Sequence, residues 1–373
     1  MVVEEITLIQ DLEKIKAAWE SLLKSSKQNN LFLTYEWISI WLKHFWNNKP
    51  ISFAIISNGP EPVGLAPFLV DEQEKCYRFP VNDYSHRPDF IIKSDYKEAI
   101  TTVLNTIKVA RHKYSFYLHE VSVDSPFINS IESISESAKL VPVIKESSNA
   151  PFLTINGDYE SFFKSKSKHF QREQLRKLNK IKKEGNVRLE RISSPSQIEK
   201  AIVDILKIER NSWKEKQGTS FTADPKLALF YSDIARYTAQ KGWYRSYILY
   251  LNSNPIAHLF GIAYQNKYYA LKTSYDLNYR NLSPGVVLFQ LVLQDVFEAK
   301  ISEFDFLGVE SRWKNELASG LRKHVDVYLY SRSPLSVSKK LYENSLKPFI
   351  RNKAPFVISL KNYMKHAKHK RNK

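Results

Sequence analysis

The stretch YYALKTSYDLNYRNLSPGVVL, residues 268–288, joins a strand pattern to a helix pattern. Tyr268 to Tyr275 is rich in the side chains that favour strands. Beyond it, apolar residues recur at helical spacing from Leu288 to Ala299, so one face of the predicted helix should pack on a sheet. Ser283 is a suitable N-cap, and Pro284 suits a first helical position, where no amide hydrogen is required. We therefore predict a strand, a short turn and a helix over residues 284–299.

A turn of this kind can bind an anion at the start of its helix. Unpaired amides and the positive end of the helix dipole point the same way there. Arg280 would add a cation, and Gly285 would let a ligand approach closely. An ordinary, well-capped helix explains the same residues. The Gly-Lys-Ser/Thr ending of a P-loop and the three glycines of a dinucleotide fingerprint are both absent.

Outward from this segment, the chain of 373 residues is long enough for two to three domains. The order strand, two helices, hairpin, strand, helix, strand occurs from Val3 and again from Val187. Its hairpins contain Glu61 to Ala66 and Asn254 to Leu259, which lie 193 positions apart. We predict two copies of one α/β (α+β) unit, although two unrelated α/β domains would give a similar order.

The predicted boundaries follow the composition. Residues 1–155 form the first copy, 156–185 a basic connecting helix, 186–333 the second copy and 334–373 a basic tail. The net charge of +17 is concentrated in two segments, because Lys164 to Lys183 and Arg351 to Lys373 each carry a net charge of +8. Two basic segments, rather than a generally basic protein, therefore need an explanation.

Other features of the sequence limit the class of protein. The single cysteine, Cys76, cannot form an internal disulfide, and the first residues lack the pattern of a signal peptide. No window approaches the roughly 18–20 apolar residues that span a bilayer. We therefore expect a cytoplasmic protein that meets a membrane only at its surface, if at all.

In the segment that contains Arg280 and Gly285, the chain resembles the Gcn5-related N-acetyltransferase (GNAT) superfamily. Arg280 and Gly285 match its pyrophosphate loop, Gln/Arg-x-x-Gly-x-Gly/Ala, while Ser283 stands where the first glycine is usual. The chain looks more specifically like the CelD-type acetyltransferases and the Fem-type aminoacyltransferases, over residues 30–330. Phe304 to Gly308 followed by Lys314 carries that resemblance, together with the segments 32–41 and 166–185. It departs from the pattern at Trp313, where a tyrosine is usual.

The resemblance implies tandem GNAT-like domains, each with a mixed, mostly antiparallel sheet flanked by helices. It also implies acyl-coenzyme A, such as acetyl-CoA, as a co-substrate and no metal. The first copy would be degenerate, because Lys93 to Lys97 has no glycine and carries Asp95 where a phosphate would lie. The cofactor-binding residues implied are Arg280, Ser283, Gly285, Val286 and Val287.

Acyl transfer requires a deprotonated nucleophile, a polarised carbonyl and a stabilised leaving thiolate. Asp305 would be a base if burial raised its pKa, but it could equally bond a backbone turn. Glu310 is a similar candidate for the base. Lys314, by resemblance, would contact a phosphate or the acyl carbonyl. Tyr275 could protonate the departing sulfur, although a packing role at the strand end explains the same residue. His258 is interpreted as a structural histidine, and no spacing indicates a metal site.

The basic helix has several possible partners. Lys168, Arg172 and Arg176 would contact phosphates of a nucleotide-sugar or lipid-linked acceptor, or of an aminoacyl-tRNA, since clustered cations release counterions on binding. A solvated face is the alternative. The cluster from Lys365 to Lys373 suits an electrostatic contact with RNA or an anionic membrane.

Three functions therefore stay open at this stage. The first is acyl transfer to an amine or hydroxyl of a sugar, polysaccharide or cell-envelope precursor. The second is aminoacyl transfer from tRNA, as in Fem-type relatives. The third is a non-enzymatic protein that binds nucleic acid or a membrane surface.

Overall fold

The computed structural model describes residues 1–110 and 114–332, together with residues 334 and 338. Within these residues one 13-stranded sheet runs through both halves of the chain, with helices on its two faces. Its strands are β1 (Val2–Ile6), β2 (Ile51–Asn58), β3 (Glu61–Asp71), β4 (Cys76–Arg78), β5 (Ile91–Ile92), β6 (Ser115–Ser122), β7 (Leu140–Thr154), β8 (Val187–Ile192), β9 (Ser246–Leu251), β10 (Asn254–Tyr264), β11 (Lys267–Tyr275), β12 (Glu303–Asp305) and β13 (Gly320–Ser331).

The helices are α1 (Lys16–Ser25), α2 (Tyr35–Phe45), α3 (Glu98–Ala110), α4 (Pro126–Asn129), α5 (Ile131–Ser137), α6 (Tyr159–Ser165), α7 (Lys168–Lys183), α8 (Ile198–Arg210), α9 (Trp213–Lys216), α10 (Pro225–Gln240), α11 (Pro284–Glu298) and α12 (Arg312–Leu317). Short 3-10 segments occupy Ile9–Ile15, Leu31–Leu33, Pro195–Gln197 and Leu277–Leu282. No helix of the described residues is both long and apolar enough to cross a bilayer.

The two copies have the same topology. In each, a first strand pairs with a hairpin, β1 with β2–β3 and β8 with β9–β10. A linking helix follows in each copy. Helix α11 connects β11 to its neighbour β12, and α3 connects β5 to β6, which pairs with β4. The pairs β4–β6 and β11–β12 are parallel, and the other named pairs are antiparallel. The predicted tandem α/β fold with a mostly antiparallel sheet is confirmed.

The last strand crosses from the second copy into the first. β13 lies between β6 and β7, and the end of β7 pairs with β12 of the second copy. The sheet is therefore continuous across the predicted boundary near residue 155. The division of the chain into the four predicted segments stays a prediction.

Hydrophobic packing also joins the copies. Helix α2 packs against α10, where the rings of Trp37 and Phe230 meet edge to face at 5.6 Å. On the opposite face, α11 packs against α6, α7 and the strands of the second copy. These two layers fix β10 and β11 between α8 and α11.

The copies differ at the strand that precedes the linking helix. In the second copy β11 is continuous, whereas residues 79–90 separate β4 from β5 in the first, although both strands pair with β3. This inserted loop reaches the neighbouring elements: Trp37 Nε1 donates to Ser85 Oγ at 3.0 Å, and Arg87 reaches β12. The second copy alone therefore keeps an uninterrupted strand leading into its helix.

The basic connecting helix predicted within residues 156–185 is not a single helix, since the chain forms α6 and α7 with a break between them. Lys166 is extended, and Ser167 caps the second helix by accepting a hydrogen bond from the Phe170 amide at 3.2 Å. The serine side chain competes for the backbone amide and starts a new helix there.

Candidate active site

A cavity of about 400 Å³ lies at the amino-terminal end of α11. Its wall includes five of the predicted site residues: Tyr275, Arg280, Ser283, Gly285 and Val286. Val287 is fully buried in the core instead, because its side chain points from α11 into the sheet. The predicted loop thus lies on one side of a cavity of ligand-binding size. It is held there by β11, the 3-10 segment after β11 and the first turn of α11.

Ser283 has a left-handed backbone, with φ 54° and ψ 48°. Glycine adopts this conformation most readily, so the glycine of the family pattern and Ser283 occupy the same kind of turn. The Ser283 side chain makes no capping hydrogen bond. Ser283 is the N-cap by position, but it does not cap through its hydroxyl as the sequence predicted.

The amides of the first turn are only partly available to a ligand. The Val286 and Val287 amides donate to the Ser283 carbonyl at 3.0 and 3.2 Å, and Pro284 has no amide hydrogen. The expectation that the amides at this helix start remain free is therefore wrong for Val286 and Val287. The Gly285 amide, the positive end of the helix dipole and the Arg280 guanidinium are the remaining features that favour an anion.

Aromatic side chains form a large part of the remaining wall, which also includes the acidic residue Glu316. Phe289 of α11 and Trp313 of α12 lie 4.7 Å apart by ring centroid, and Trp213 of α9 also contributes to the wall. From the connecting segment, α6 and α7 add Phe163 and Phe170. The cavity therefore has a cationic end at Arg280 and an apolar body.

The exposed face of α7 carries the three predicted substrate-binding cations, Lys168, Arg172 and Arg176. Arg176 pairs with Glu173 at 2.9 Å, and none of the three lines the cavity. Lys180, on the same helix, donates to the carbonyl oxygen of Asn281 at 2.8 Å. The basic helix therefore packs directly beside the loop that contains Arg280.

Asp305 is fully buried and bound by two guanidinium groups. Arg87 Nη2 lies 2.7 Å from Oδ1 and Arg322 Nη1 lies 3.0 Å from Oδ2, while the Leu307 amide donates to Oδ1 at 3.0 Å. Burial raises the pKa of Asp305, but the charges of Arg87 and Arg322 lower it more, so the net shift is downward. The condition under which Asp305 would act as a base, a pKa raised by burial, is therefore not met, and the alternative contact with a backbone turn is present at the Leu307 amide. A carboxylate paired in this way connects the two copies and is poorly suited to accept a proton.

Lys314 and Glu310 lie beside the loop after β12. Lys314 Nζ donates to the carbonyl oxygens of Leu307 and Val309 at 2.7 and 3.1 Å, and burial lowers the pKa of this amine. Glu310 is exposed and accepts hydrogen bonds from Asn149 and Asn315 at 2.9 and 3.1 Å. Neither residue is part of the cavity wall, so their predicted catalytic roles stay predictions without a geometric basis here.

Sequence reasoning missed two groups of residues. The aromatic wall was hidden because Trp213, Phe289 and Trp313 are isolated apolar residues on separate elements. A buried polar pair, Glu209 and His258, was also missed, although a glutamate on the apolar face of α8 was a detectable signal. Among the described residues no group of three or more His, Cys, Asp or Glu side chains could hold a metal ion.

Comparison with known proteins agrees with this geometry. Residues 168–315 match the family model described as an acetyltransferase (GNAT) domain. Comparison with the sequences of curated proteins finds no match. The structure of FemX is similar with a TM-score of 0.58 at 13% identity, covering 91% of this chain and 100% of FemX.

Two further structures have the same fold. L-PGS from Bacillus licheniformis has a TM-score of 0.54 at 10% identity and covers 88% of this chain and 95% of its own. The carboxyl-terminal domain of a protein from Agrobacterium fabrum, described as a lysylphosphatidylglycerol synthetase, has a TM-score of 0.53 at 9% identity. The match covers 88% of this chain and 96% of that domain. The matched segment contains β11, Arg280 and α11, so this part of the chain is similar to acetyltransferase (GNAT) domains, and the fold of the whole chain is similar to that of FemX.

Proposed function

We propose that the protein transfers an acyl group from acyl-coenzyme A to an amine or hydroxyl of a sugar, polysaccharide or cell-envelope precursor. The observation that carries this proposal is the cavity at the start of α11, with Arg280 at one end and an aromatic body. GNAT domains use acyl-CoA. Its charged pyrophosphate matches the cationic end of the cavity, and its long, mainly apolar pantetheine arm matches the aromatic body. We place the pyrophosphate near Arg280 and Gly285 and the arm along Phe289 and Trp313.

The loop residues have distinct tasks in this proposal. Arg280 offsets phosphate charge, and the Gly285 amide donates to a phosphate oxygen at the positive end of the helix. A Cβ atom at Gly285 would lie 3.4 Å from a ring carbon of Tyr275, an ordinary contact, so the position has room for a methyl group but faces the cavity. In this proposal Tyr275, which lies in the same wall, protonates the departing sulfur.

Calorimetric titration with coenzyme A tests this assignment through two variants of the same residue. Gly285→Ala should bind within about threefold of the wild type, because its methyl group fits. Gly285→Glu should lose at least about tenfold in affinity, because it adds bulk and negative charge where phosphate would bind. No binding by the wild type, or equal binding by the glutamate variant, would refute the donor site.

The alternative donor is an aminoacyl-tRNA, as the resemblance to Fem-type proteins implies. The observation in its favour is the cationic helix α7 beside the loop, with Lys168, Arg172 and Arg176 on its exposed face. Product formation that requires tRNA, with tRNA binding that weakens steeply as salt increases, would replace coenzyme A by this donor. Because the fold is also similar to that of a lysylphosphatidylglycerol synthetase domain, the assay should include a lipid acceptor.

A non-enzymatic binding role is tested at residues 361–373 of the basic tail, which lie outside the described residues. Removal of residues 361–373 should leave thioester turnover intact if the protein is an enzyme. Contact of that tail with RNA or an anionic membrane, and a cytoplasmic location, remain part of this proposal.

A further inference from the structure

A buried polar cluster lies between α8 and the strands β10 and β11. Its members are Glu209 of α8, His258 of β10 and Ser274 of β11. Glu209 and His258 are each 0% exposed, and Ser274 is 3% exposed and is also among the residues that line the cavity. Nε2 of His258 lies 2.8 Å from Oε1 of Glu209.

The surroundings fix the protonation of this pair. Burial lowers the pKa of His258 in spite of the opposing effect of Glu209, so the imidazole is neutral near pH 7. Burial raises the pKa of Glu209, but His258 and the nearby lysines lower it more, so Glu209 is a carboxylate. A carboxylate only accepts hydrogen bonds; hence Nε2 of His258 carries the hydrogen, and Nδ1 keeps a free lone pair.

Two buried atoms of the cluster have no hydrogen-bond partner. Neither Nδ1 of His258 nor Oγ of Ser274 finds one in the part of the chain that the structure describes. The two residues are direct partners in the β10–β11 ladder, so their side chains lie on the same face with Cβ atoms about 4.5–5.5 Å apart. The two atoms do not hydrogen-bond to each other in this structure, but at this Cβ separation rotation about the Cα–Cβ bond of Ser274 brings its hydroxyl within reach of Nδ1. A buried unpaired polar atom costs about 1–3 kcal/mol, and two of them on cross-strand partners beside a cavity indicate a role in function.

Other charged groups surround the histidine. Lys272 of β11 lies 4.0 Å from Oε2 of Glu209 and donates to the Thr219 carbonyl at 2.6 Å. Lys272 and Lys214 of α9 both act to lower the pKa of His258. Tyr231 of α10 lies next to Lys272, with its ring centroid 6.0 Å from Lys272 Nζ. Burial raises the pKa of the Tyr231 phenol, so it stays uncharged. The carboxylate of Glu209 is therefore the group that favours a proton on His258.

We propose that Ser274 is a catalytic residue of the acyl transfer, and that Glu209 and His258 are positioning residues that make its hydroxyl a proton acceptor. This inference rests on the proposed function. The Ser274 hydroxyl rotates toward His258 Nδ1, and the acceptor amine or hydroxyl then gives its proton to Ser274 Oγ while the Ser274 proton passes to Nδ1. The acceptor atom bonds to the thioester carbon, and the carbon–sulfur bond breaks. Tyr275 protonates the departing sulfur, which leaves as a thiol, and the proton on His258 returns through Ser274 to the Tyr275 phenolate, so that His258 becomes neutral again.

The experiment compares variants of the cluster with buried residues of the same type elsewhere. The assay measures thiol release from acetyl-CoA, with glucosamine or water as acceptor, from about pH 5 to about pH 9. Ser274→Ala should lower kcat by about 10²-fold or more while coenzyme A affinity changes little. Ser274→Thr, which keeps a hydroxyl, should recover part of that loss.

Matched controls come from the rest of the chain. Ser135 and His324 are also buried and each has an unpartnered polar atom, but neither lines the cavity. Ser135→Ala and His324→Gln should keep wild-type kcat. The acid limb of kcat/KM should move to lower pH in Glu209→Gln, since Glu209 raises the pKa of His258, and it should disappear in His258→Gln.

The outcomes separate the two proposals. If Ser274→Ala binds coenzyme A and keeps wild-type kcat, or if the acid limb is unchanged in His258→Gln, the relay is refuted while the donor site stands. If the wild type neither binds coenzyme A nor releases thiol, the proposed function and the relay both fail. Loss of kcat in Ser274→Ala with normal coenzyme A binding, together with partial activity of Ser274→Thr, supports the relay without depending on how His258→Gln folds.

Discussion

Asp305→Asn should destabilise the protein without weakening coenzyme A binding. The carboxylate of Asp305 is the buried partner of Arg87 from the inserted loop of the first copy, and it also meets Arg322 of β13. The variant keeps the size of the side chain and removes its charge. Because Asp305 is not part of the cavity wall, the effect should appear in the free energy of unfolding rather than in ligand affinity.

The size of the effect follows from which cation is left without a partner. Arg322 is partly exposed and still forms an ion pair with Glu303 at 3.0 Å in the variant. Loss of its contact with Asp305 should therefore lower the free energy of unfolding by less than about 1 kcal/mol. Arg87 is 7% exposed, and its Nε already has no partner in the described part of the chain. Leaving a buried charge unpaired costs about 3–5 kcal/mol, and an asparagine oxygen still accepts one hydrogen bond, so we expect about 3 kcal/mol at pH 7.

The effect should depend on pH in a definite direction. Because the pKa of Asp305 is lowered in the folded protein, the pair stabilises the fold above the unfolded pKa of about 3.9 and loses this contribution as the pH falls through the folded pKa. Urea unfolding of wild type and variant should therefore differ fully at neutral pH and less in acid.

A second substitution tests the cause. Arg87→Met in the Asp305→Asn background should recover part of the lost stability, since it removes the buried charge. A variant within about 0.5 kcal/mol of wild type at pH 7, or no recovery by Arg87→Met, would refute the reasoning.

Three further outcomes follow from the same structure. Burial raises the pKa of Asp89 to about 7, so the contribution of its protonated form to stability is complete below about pH 4 and is lost as the pH rises to about 7. In urea unfolding at two pH values, Asp89→Asn should gain stability relative to wild type at the higher pH. An equal difference in stability at both pH values would contradict this. Arg280→Ala should weaken coenzyme A binding by about tenfold or more in calorimetry, whereas Arg236→Ala, which breaks an exposed pair with Glu199, should not; equal losses would indicate a nonspecific charge effect. Trp313→Ala should weaken binding by about threefold to tenfold, because it removes an aromatic wall next to Phe289; unchanged affinity would place the pantetheine arm elsewhere.

The elements with strong local signals were predictable. Helices α2 and α10 begin directly after Thr34 and Asp224, whose side chains accept hydrogen bonds from amides of the first turn, so their starts follow from local capping. The β2–β3 hairpin follows from Asn58-Gly59, where Gly59 has the positive φ of 59° that a tight turn requires. Each of these signals acts between residues close in sequence, so no knowledge of the rest of the chain is needed.

The roles of single side chains were less predictable. The sequence indicated that Asp305 alternates with Phe304 and Phe306, and the structure does bury it. Its pKa depends on Arg87, which is 218 positions away, and no local pattern identifies that partner. In the same way His258 was interpreted as structural, because neither Glu209 nor Ser274 is its neighbour in sequence.

By itself, the sequence determined the repeated α/β order, the turn from β11 into α11 and the cationic loop at Arg280, because periodicity, capping and turn chemistry are local. Only the tertiary structure decided that β13 enters the sheet of the first copy, that α6 and α7 supply aromatic walls to the cavity, and that Glu209, His258 and Ser274 meet. These arrangements depend on strand pairing and burial between distant segments. Many pairings satisfy the same local pattern, and the free energy of the whole packed chain selects one of them.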